Sequence, residues 1–336
     1  MDYISPSNHP ESSLSGSTVE SMIDRAKELG QGYFAITDHG HLCSILKGYM
    51  YAQKKEIKLI PGIELFFKDK ECSIIRGTQS ENIKYFKITI HAKDQEAYQK
   101  LVKMSSQDRN KIQIKDSFYQ TYNWADLEDL ANYNVTVCTS DIEGMVSKHL
   151  LVNRADLGLK YYEKLKTIFK KNIYPTIIPH GQDKSWNAMV RATIGGKQVE
   201  IPAMDRIETD HYKKSRAIEL TRLNNKHRKL EYVYIDKIRY KVSEDKQDIQ
   251  SAELIKDFRD LPGGDIQTKA NKFITALAKK FDDTDRLLID NYSYYAAKED
   301  KVVQDMKLGD ERRIYQHQYM ASFEETSEYL ENVLEL

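Results

Sequence analysis

Apolar residues recur at helical spacing near the start of the chain, and a short apolar run follows them. The recurring positions are Val19, Met22, Ile23, Ala26 and Leu29. This spacing places them on one face of a helix, and Gly30 can adopt the left-handed conformation that ends a helix. Ser17 and Glu20 have the spacing of a capping box, which predicts the start of this helix. The run from Tyr33 to Thr37 then predicts a buried strand.

The same order of helix and strand is repeated directly afterwards. A second apolar stripe comprises Leu42, Ile45, Leu46, Tyr49 and Met50. Lys58 to Phe67 reads as a strand that is interrupted at Pro61 and Gly62. Helical and strand patterns go on alternating to about residue 212, so we predict an α/β fold with a parallel sheet.

Ionisable side chains follow or lie on both predicted strands. Asp38, His39 and His41 come after the first strand, and Glu64 lies on the second. In a parallel α/β barrel the C-terminal ends of the strands meet on one face, and functional groups are assembled there. We therefore expect His39 and Glu64 at the same end of the fold.

Two short segments carry a resemblance to a known family. Ala35 to Gly40 reads A-I-T-D-H-G, and Ile57 to Glu64 reads I-K-L-I-P-G-I-E. Together they resemble the start of a PHP (polymerase and histidinol phosphatase) domain, above all the N-terminal PHP domain of the bacterial DNA polymerase III alpha subunit. Weaker similarity continues to about residue 285 and includes Val135 to Val146 and Ser251 to Asn271.

This resemblance implies a distorted parallel (β/α)7-type barrel with a mainly helical C-terminal appendage. The corresponding boundaries are an irregular lead-in at residues 1–17, a PHP-like domain at 18–285 and a helical C-terminal extension at 286–336. From the residues alone, Gly195 and Gly196 predict a hairpin turn, Leu230 to Val242 predicts a hairpin or edge strand, and residues 251–336 are mainly helical in pattern.

The resemblance also implies a centre of several divalent metals, and this chain departs from it at several ligands. The family begins with an H-x-H motif, but the aligned positions are Pro6 and Asn8, or Ser5 and Ser7 in the other register. A further ligand histidine falls on Lys87, which is a cation. Because metal affinity depends on the number of anionic and imidazole ligands, we expect a degenerate site without hydrolytic activity.

The residues that could still ligate a metal form a vestigial or partial site, as implied by the resemblance. They are Asp38, His39, Glu64, Asp141, Asp210 and His211. No residue is predicted to be catalytic. The expectation is a protein without a cofactor, with Mn, Zn or Mg as the divalent metal if the site is active.

Composition narrows the function further. Lysine plus arginine and aspartate plus glutamate each number 51, so the net charge is zero and does not favour tight binding to DNA by this chain alone. Cys43, Cys72 and Cys138 lack the spacing of a zinc ribbon and suit a reducing cytoplasm. Without a long apolar stretch or a secretory signal, we expect a soluble cytoplasmic protein that does not contact membranes.

Three functional hypotheses remain. The first is a stand-alone PHP-like domain of a DNA replication apparatus, because no polymerase palm follows it. It would be a non-catalytic scaffold that binds a replicative polymerase or proofreading exonuclease subunit and contacts DNA only through that partner. Phe323 and Tyr329 in the acidic C-terminal segment would line the partner-binding face.

The other two hypotheses come from different classes. One is a divalent-metal-dependent phosphoesterase or 3′–5′ exonuclease built from the remaining ligands. The other is a binding module unrelated to replication that shares only the fold. The missing H-x-H motif and Lys87 favour the scaffold over the enzyme, whereas the sequence barely separates the scaffold from the unrelated binding module.

Overall fold

The protein is described here by a computed structural model. The described residues are 5–10, 15–69, 85–114, 117–152, 154–179, 188–194, 197–208, 232–235, 238–242, 249–257, 266–300 and 318–327. The predicted α/β class is confirmed, with helices packed against a sheet that contains parallel pairs.

The first helix forms as its apolar pattern predicts. Helix α1 (Val19–Glu28) buries the predicted face and is followed by Gly30, whose φ of 70° is left-handed. Its capping box consists of Thr18 and Ser21, so the helix begins one residue later than the sequence predicted. The hydroxyl of Ser17 instead accepts a hydrogen bond from a backbone N–H of a distant segment at 2.8 Å.

The second unit differs in detail from its prediction. It consists of strand β1 (Tyr33–Ile36), helix α2 (Cys43–Lys54) and strand β2 (Lys58–Phe67). β2 continues through Pro61 without the predicted interruption. Within the second apolar stripe Ile45 is buried, whereas Leu46, Tyr49 and Met50 are exposed, because α2 faces the sheet mainly with small residues.

The remaining described elements continue in chain order. They are β3 (Phe86–Ala92), α3 (Gln95–Ser106), β4 (Lys111–Ile114), β5 (Ser117–Tyr122), α4 (Trp124–Leu130), β6 (Val135–Cys138), a 3-10 helix (Ser147–Val152), α5 (Ala155–Phe169), a 3-10 helix (Lys170–Asn172), β7 (Ile173–Tyr174), β8 (Thr176–Ile177), β9 (Ala188–Ile194), β10 (Lys197–Glu208), β11 (Tyr232–Ile235), β12 (Ile238–Val242), β13 (Ile249–Asp257), α6 (Ile266–Lys280), a 3-10 helix (Thr284–Arg286), β14 (Leu288–Ile289) and a 3-10 helix (Lys298–Asp300).

Seven strands form the main sheet. Their order is β4-β5-β2-β3-β6-β7, with β1 also paired to β2. β1 and β5 run parallel to β2, and β7 runs parallel to β6. β3 is antiparallel to both of its neighbours. β3 alternates apolar and polar residues, and this pattern reads the same in either chain direction, so the sequence could not reveal the reversal.

Two segments that are distant in sequence, one around Asn8 and the other around Ser293, cover the space beside β1. The backbone N–H of Thr37 donates to the carbonyl of Asn8 at 2.9 Å, and the backbone N–H of His9 donates to the carbonyl of Ser293 at 2.9 Å. β14 continues into that second segment and pairs in parallel with β8. The described residues of the lead-in, which the sequence predicted to be irregular, are therefore tied into the fold next to the end of β1.

A second sheet of five strands is antiparallel and has the order β11-β12-β10-β9-β13. The predicted hairpins are confirmed, because β9 pairs with β10 across positions 195 and 196, and β11 pairs with β12. The helical prediction for residues 251–257 was wrong, since they belong to β13. Their sequence holds few turn signals, and pairing with β9 decides the outcome.

The main core lies between the seven-stranded sheet and helices α3 to α6. Its strand residues include Ile63, Leu65, Phe67, Phe86 and Ile88, all of them fully buried. A smaller core joins α1 and α2 to β1. Along β2, Glu64 alternates with the core residues Ile63 and Leu65, so its side chain lies on the other face of the sheet, where it contacts Tyr292 of a distant segment. The domain boundaries predicted from the resemblance stay a prediction.

Candidate functional site

The carboxyl ends of β1 and β2 bring His39 and Glu64 together. The β1–β2 ladder extends past β1, because the backbone N–H of Gly40 donates to the carbonyl of Glu64 at 2.8 Å. Nδ1 of His39 lies 2.6 Å from Oε1 of Glu64, and both side chains are buried. The expectation that the two residues share one end of the fold is confirmed.

His9 joins this pair and was missed by the sequence analysis. Its ring stacks on that of His39 with centroids 4.3 Å apart. Nδ1 of His9 lies 2.7 Å from the carbonyl oxygen of Thr37, so this nitrogen carries the proton. Nε2 then presents a lone pair, and it is buried with no hydrogen-bond partner. A third register of the first motif, Ser7-Asn8-His9, would have found it.

Two hydroxyl groups hold one oxygen of Glu64. Oε2 accepts hydrogen bonds from the hydroxyls of Tyr292 at 2.6 Å and Ser140 at 3.2 Å. Both donors have left-handed backbones, with φ of 52° at Tyr292 and 65° at Ser140. Such conformations cost about 1–3 kcal/mol each in residues with a side chain, and they persist only where the surroundings enforce them. The fold therefore holds two strained residues in place around one carboxylate.

A second tyrosine from the same distant segment completes the wall of the site. Nε2 of His39 lies 2.8 Å from the hydroxyl of Tyr294. The ring of His9 contacts both tyrosines, with centroids 4.6 Å from Tyr292 and 4.9 Å from Tyr294. Neither tyrosine was predicted from the sequence, although Asn291 to Tyr295 is a conspicuous aromatic run between charged segments.

Lys87 places its ammonium group inside this cluster. Nζ lies 3.3 Å from Oε1 of Glu64, 2.9 Å from Oε2 of Glu143 and 3.0 Å from the hydroxyl of Tyr292. The side chain is only 7% exposed. Lys148 contacts the other oxygen of Glu143 at 3.4 Å. Two cations thus face two carboxylates in the same buried region.

Burial and neighbouring charge set the protonation states. Burial alone would raise the pKa of Glu64, but Lys87 and His39 hold that pKa well below its usual range. Burial opposes charge on Lys87 as well, yet Glu143 and Glu64 keep the pKa of Lys87 well above its usual value. Burial lowers the pKa of His9, and the neighbouring His39 lowers it further. Lys87 and Glu64 therefore form an ion pair beside a neutral His9.

The other predicted ligands lie in different places. Asp38 is buried and accepts a hydrogen bond from the hydroxyl of Ser44, at the start of α2. Asp141 follows β6, and its Oδ1 accepts from the backbone N–H of Glu143 at 2.9 Å. Burial raises the pKa of Asp141 to about 7. Asp210 and His211 lie outside the described residues.

One of the two predicted partner-binding residues, Phe323, lies within the described residues. Phe323 follows Ser322, which forms reciprocal capping bonds with Glu325 at 3.2 and 2.9 Å. The Phe323 side chain is 41% exposed. Tyr329 lies outside the described residues, and a partner-binding role for either residue stays a prediction.

The described ligands form a possible site for one cation and do not fit a centre of several metals. Ligand atoms of His9, His39 and Glu64 all lie within 4.8 Å of one another. However, His39 and Glu64 already contact each other, and Lys87 brings a positive charge to the same carboxylate. Among the described residues, Nε2 of His9 is buried without a hydrogen-bond partner, and so are Nδ1 of His39 and Oε1 of Glu64, which lie 2.6 Å from each other.

A cavity of about 770 Å³ lies apart from this cluster. Its lining includes Ile60, His91 and Cys138, and also Tyr49 and Tyr98 from helices α2 and α3. His9, His39 and Glu64 do not line this cavity. Its volume is in the range of small-molecule pockets, but the ionisable chemistry lies elsewhere.

Comparison with known proteins identifies the family. The PHP domain model matches residues 7–177, a span that includes His9, His39, Glu64 and Lys87. The chain belongs to the PHP domain family. The resemblance inferred from the two sequence segments is thereby confirmed, and the match covers about half of the chain.

The curated relatives of this PHP domain are much longer proteins. The DNA polymerase III subunit alpha of Borreliella burgdorferi is 28% identical over 165 residues, covering 48% of this chain and 14% of that protein. Its counterparts from Helicobacter pylori and Treponema pallidum are each 26% identical, covering 52% and 55% of this chain and 15% and 16% of those proteins. The chain is related to a small part of these subunits.

A solved structure of an amidohydrolase from Chromobacterium violaceum shows a weak likeness. It is 20% identical, covers 30% of this chain and 32% of its own, and has a TM-score of 0.22. No described helix is long and apolar enough to cross a membrane.

Proposed function

We propose that this PHP domain is a non-catalytic module of a DNA replication apparatus, which binds a replicative polymerase or a proofreading exonuclease subunit. The relation to DNA polymerase III alpha subunits supports the replication setting. DNA would be contacted through the partner, in keeping with the zero net charge of the chain. A replication role implies the cytoplasm.

The ion pair between Lys87 and Glu64 is the observation that carries the non-catalytic part of this proposal. In metal-dependent phosphoester hydrolysis, metals polarise the phosphate and activate water. Here Glu64 is already neutralised by an ammonium group, with Nζ 3.3 Å from Oε1. An ammonium cannot bind water as a Lewis acid, so this position cannot generate a metal hydroxide.

An activity assay tests the absence of hydrolysis. Single-stranded DNA and a small phosphoester should survive incubation with the protein and Mn²⁺, Zn²⁺ or Mg²⁺. Cleavage that disappears in both His39→Ala and Glu64→Ala would overturn the proposal. Cleavage that persists in both variants would point to a contaminating nuclease, and the assay would then be repeated with protein purified free of it.

A binding experiment tests the replication setting. Pull-down from the native host should recover a polymerase or exonuclease subunit. Phe323→Ala should weaken that capture, because exposed aromatic side chains commonly anchor interfaces. His39→Ala, inside the buried cluster, should leave capture nearly unchanged if it folds. Recovery of partners without any replication protein would favour the binding module unrelated to replication.

A metal-dependent phosphoesterase or exonuclease is the second candidate. Nε2 of His9 favours it, because this buried lone pair lies beside His39 and Glu64 without a hydrogen-bond partner. In this reading a single Mn, Zn or Mg ion would bind His9, His39 and Glu64 and displace Lys87. The cleavage assay above separates the two candidates.

A further inference from the structure

The ammonium group of Lys87 occupies a cage of oxygen atoms. We propose that Lys87 is the resident cation of this site in place of a divalent metal, and that its removal converts the same oxygen and imidazole groups into a divalent-metal site. The inference rests on the proposed non-catalytic function, and it makes Lys87 the residue that keeps the site from binding a metal.

Three oxygen atoms lie close to Nζ. A lysine ammonium has three N–H donors and no acceptor. Three oxygens surround it, from Glu64 at 3.3 Å, Glu143 at 2.9 Å and the hydroxyl of Tyr292 at 3.0 Å. Buried charges are tolerated when they are paired and hydrogen-bonded in this way. The oxygens are therefore arranged around a cation.

Further donor atoms suited to a metal lie unengaged in the same region. Nε2 of His9 is buried without a hydrogen-bond partner. Oδ2 of Asp141 is also buried without a hydrogen-bond partner, and the charges of Lys87 and Glu64 both act on this carboxyl group. Neither atom accepts a hydrogen bond from the ammonium, but a metal ion with more coordination positions could use both.

Charge balance predicts the effect of removing Lys87. Lys87 and Lys148 now face Glu64 and Glu143. Without Lys87, the buried Glu64 and the partly exposed Glu143 share a single lysine, and the excess negative charge favours a divalent cation. Mixed carboxylate and imidazole donors suit Mn²⁺ and Zn²⁺. Metal–oxygen bonds are about 2.0–2.2 Å, so the oxygens would have to close in by about 1 Å.

The experiment measures melting temperature of the full chain in chelator and in 1 mM MnCl₂ or ZnCl₂. Wild type is compared with Lys87→Ala and with Lys87→Met, which keeps most of the apolar stem. Lys148→Ala is the matched control, because it removes a neighbouring lysine that contacts Glu143 from the same cluster. A double variant, Lys87→Ala with His9→Ala, tests whether His9 supplies a ligand.

Metal should raise the melting temperature of the Lys87 variants by about 5 °C or more, as expected for ligand concentrations well above Kd. Wild type and Lys148→Ala should shift by less than about 1 °C, and the double variant should lose most of the gain. If the Lys87 variants do not fold in chelator, Mn²⁺ or Zn²⁺ should restore their far-UV circular dichroism.

Two results would overturn the inference. The first is a wild-type shift as large as that of Lys87→Ala, since the ammonium would then not exclude the metal. The second is a set of Lys87 variants that neither metal stabilises or refolds. Failure to recover a replication protein in the pull-down would count against the proposed function and leave this melting result untouched.

Discussion

Oε1 of Glu64 contacts two basic side chains at once, and Lys87 is the one that carries a permanent charge, with Nζ 3.3 Å away. Glu64 lies on β2, and Lys87 lies near the start of the antiparallel β3, where it pairs with Phe66, two residues beyond Glu64. Because β3 is antiparallel to β2, its first residues lie beside the C-terminal half of β2, and this places the Lys87 ammonium next to Glu64. The stability of the site should depend on this pair.

Glu64→Gln should destabilise the fold by roughly 3–5 kcal/mol, because removing one member of a buried ion pair leaves the other uncompensated. Two hydroxyl groups donate to Oε2 of this carboxylate, and His39 and Lys87 lie within 3.3 Å of Oε1. Chemical unfolding in urea measures the difference.

Glu163→Gln is the matched control for that substitution. Glu163 is 49% exposed and lies 3.8 Å from Lys280. An exposed pair of this kind contributes about 0–1 kcal/mol. Equal losses in the two variants would mean that the buried cluster has no special role in stability.

Tyr292→Phe should cost about 1–3 kcal/mol, because the hydroxyl both accepts from Lys87 and donates to Glu64. Removing it leaves a buried donor and a buried acceptor each short of one partner. Tyr51→Phe is the control, since its hydroxyl bonds Asp24 in a partly exposed position, at 2.9 Å. A loss for Tyr292→Phe no greater than that for Tyr51→Phe would contradict the account.

His91 predicts a loss of stability in acid. Burial lowers its pKa from 6.5 to about 4. The folded state therefore favours neutral His91, so this stability is complete above pH 6.5 and is lost as the pH falls towards 4. His91→Gln should lose stability at neutral pH, and its deficit against wild type should shrink by about 1.4 kcal/mol per pH unit across that window. A deficit that stays constant from pH 7 to pH 4 would show that His91 does not titrate in this way.

Asp290 predicts the opposite dependence of stability on pH, with stability lost as the pH rises. Burial raises its pKa from 3.8 to about 6, although hydrogen bonds from Ser7 and Tyr292 oppose the shift. The folded state favours the protonated acid, so this stability is complete below pH 3.8 and is lost as the pH rises through 6. Asp290→Asn should gain on wild type by about 1.4 kcal/mol per pH unit over that interval. Urea unfolding at several pH values checks it, and no relative gain would refute it.

The sequence predicted the fold where local pattern and spacing carry the information. The two helix–strand units around His39 and Glu64 follow directly from apolar periodicity, and the family follows from the residues at their strand ends. The direction of β3 could not be predicted, because its alternation of apolar and polar residues is the same for a parallel and an antiparallel strand. The strand character of residues 251–257 was missed because it depends on pairing with β9.

The site was predictable only in part for a related reason. His39 and Glu64 lie close in sequence and on consecutive strands. Tyr292 donates to Glu64 from 228 positions away, and no local pattern links the two. His9 lies in a short polar lead-in without periodicity, so its place depends on backbone bonds to β1 and to Ser293. Lys87 was recognised as a departure from the family, but its three oxygen partners could be identified only in the folded chain.

The metal content of the wild-type protein tests the central claim most directly. Elemental analysis after saturation with Mn²⁺ and Zn²⁺ and removal of free ions gives the number of metal ions per chain. We predict no stoichiometric divalent metal, because the Lys87 ammonium already neutralises Glu64 at 3.3 Å. One or more tightly bound ions per chain, lost in His9→Ala or Glu64→Gln, would contradict the account and favour the metal-dependent hydrolase.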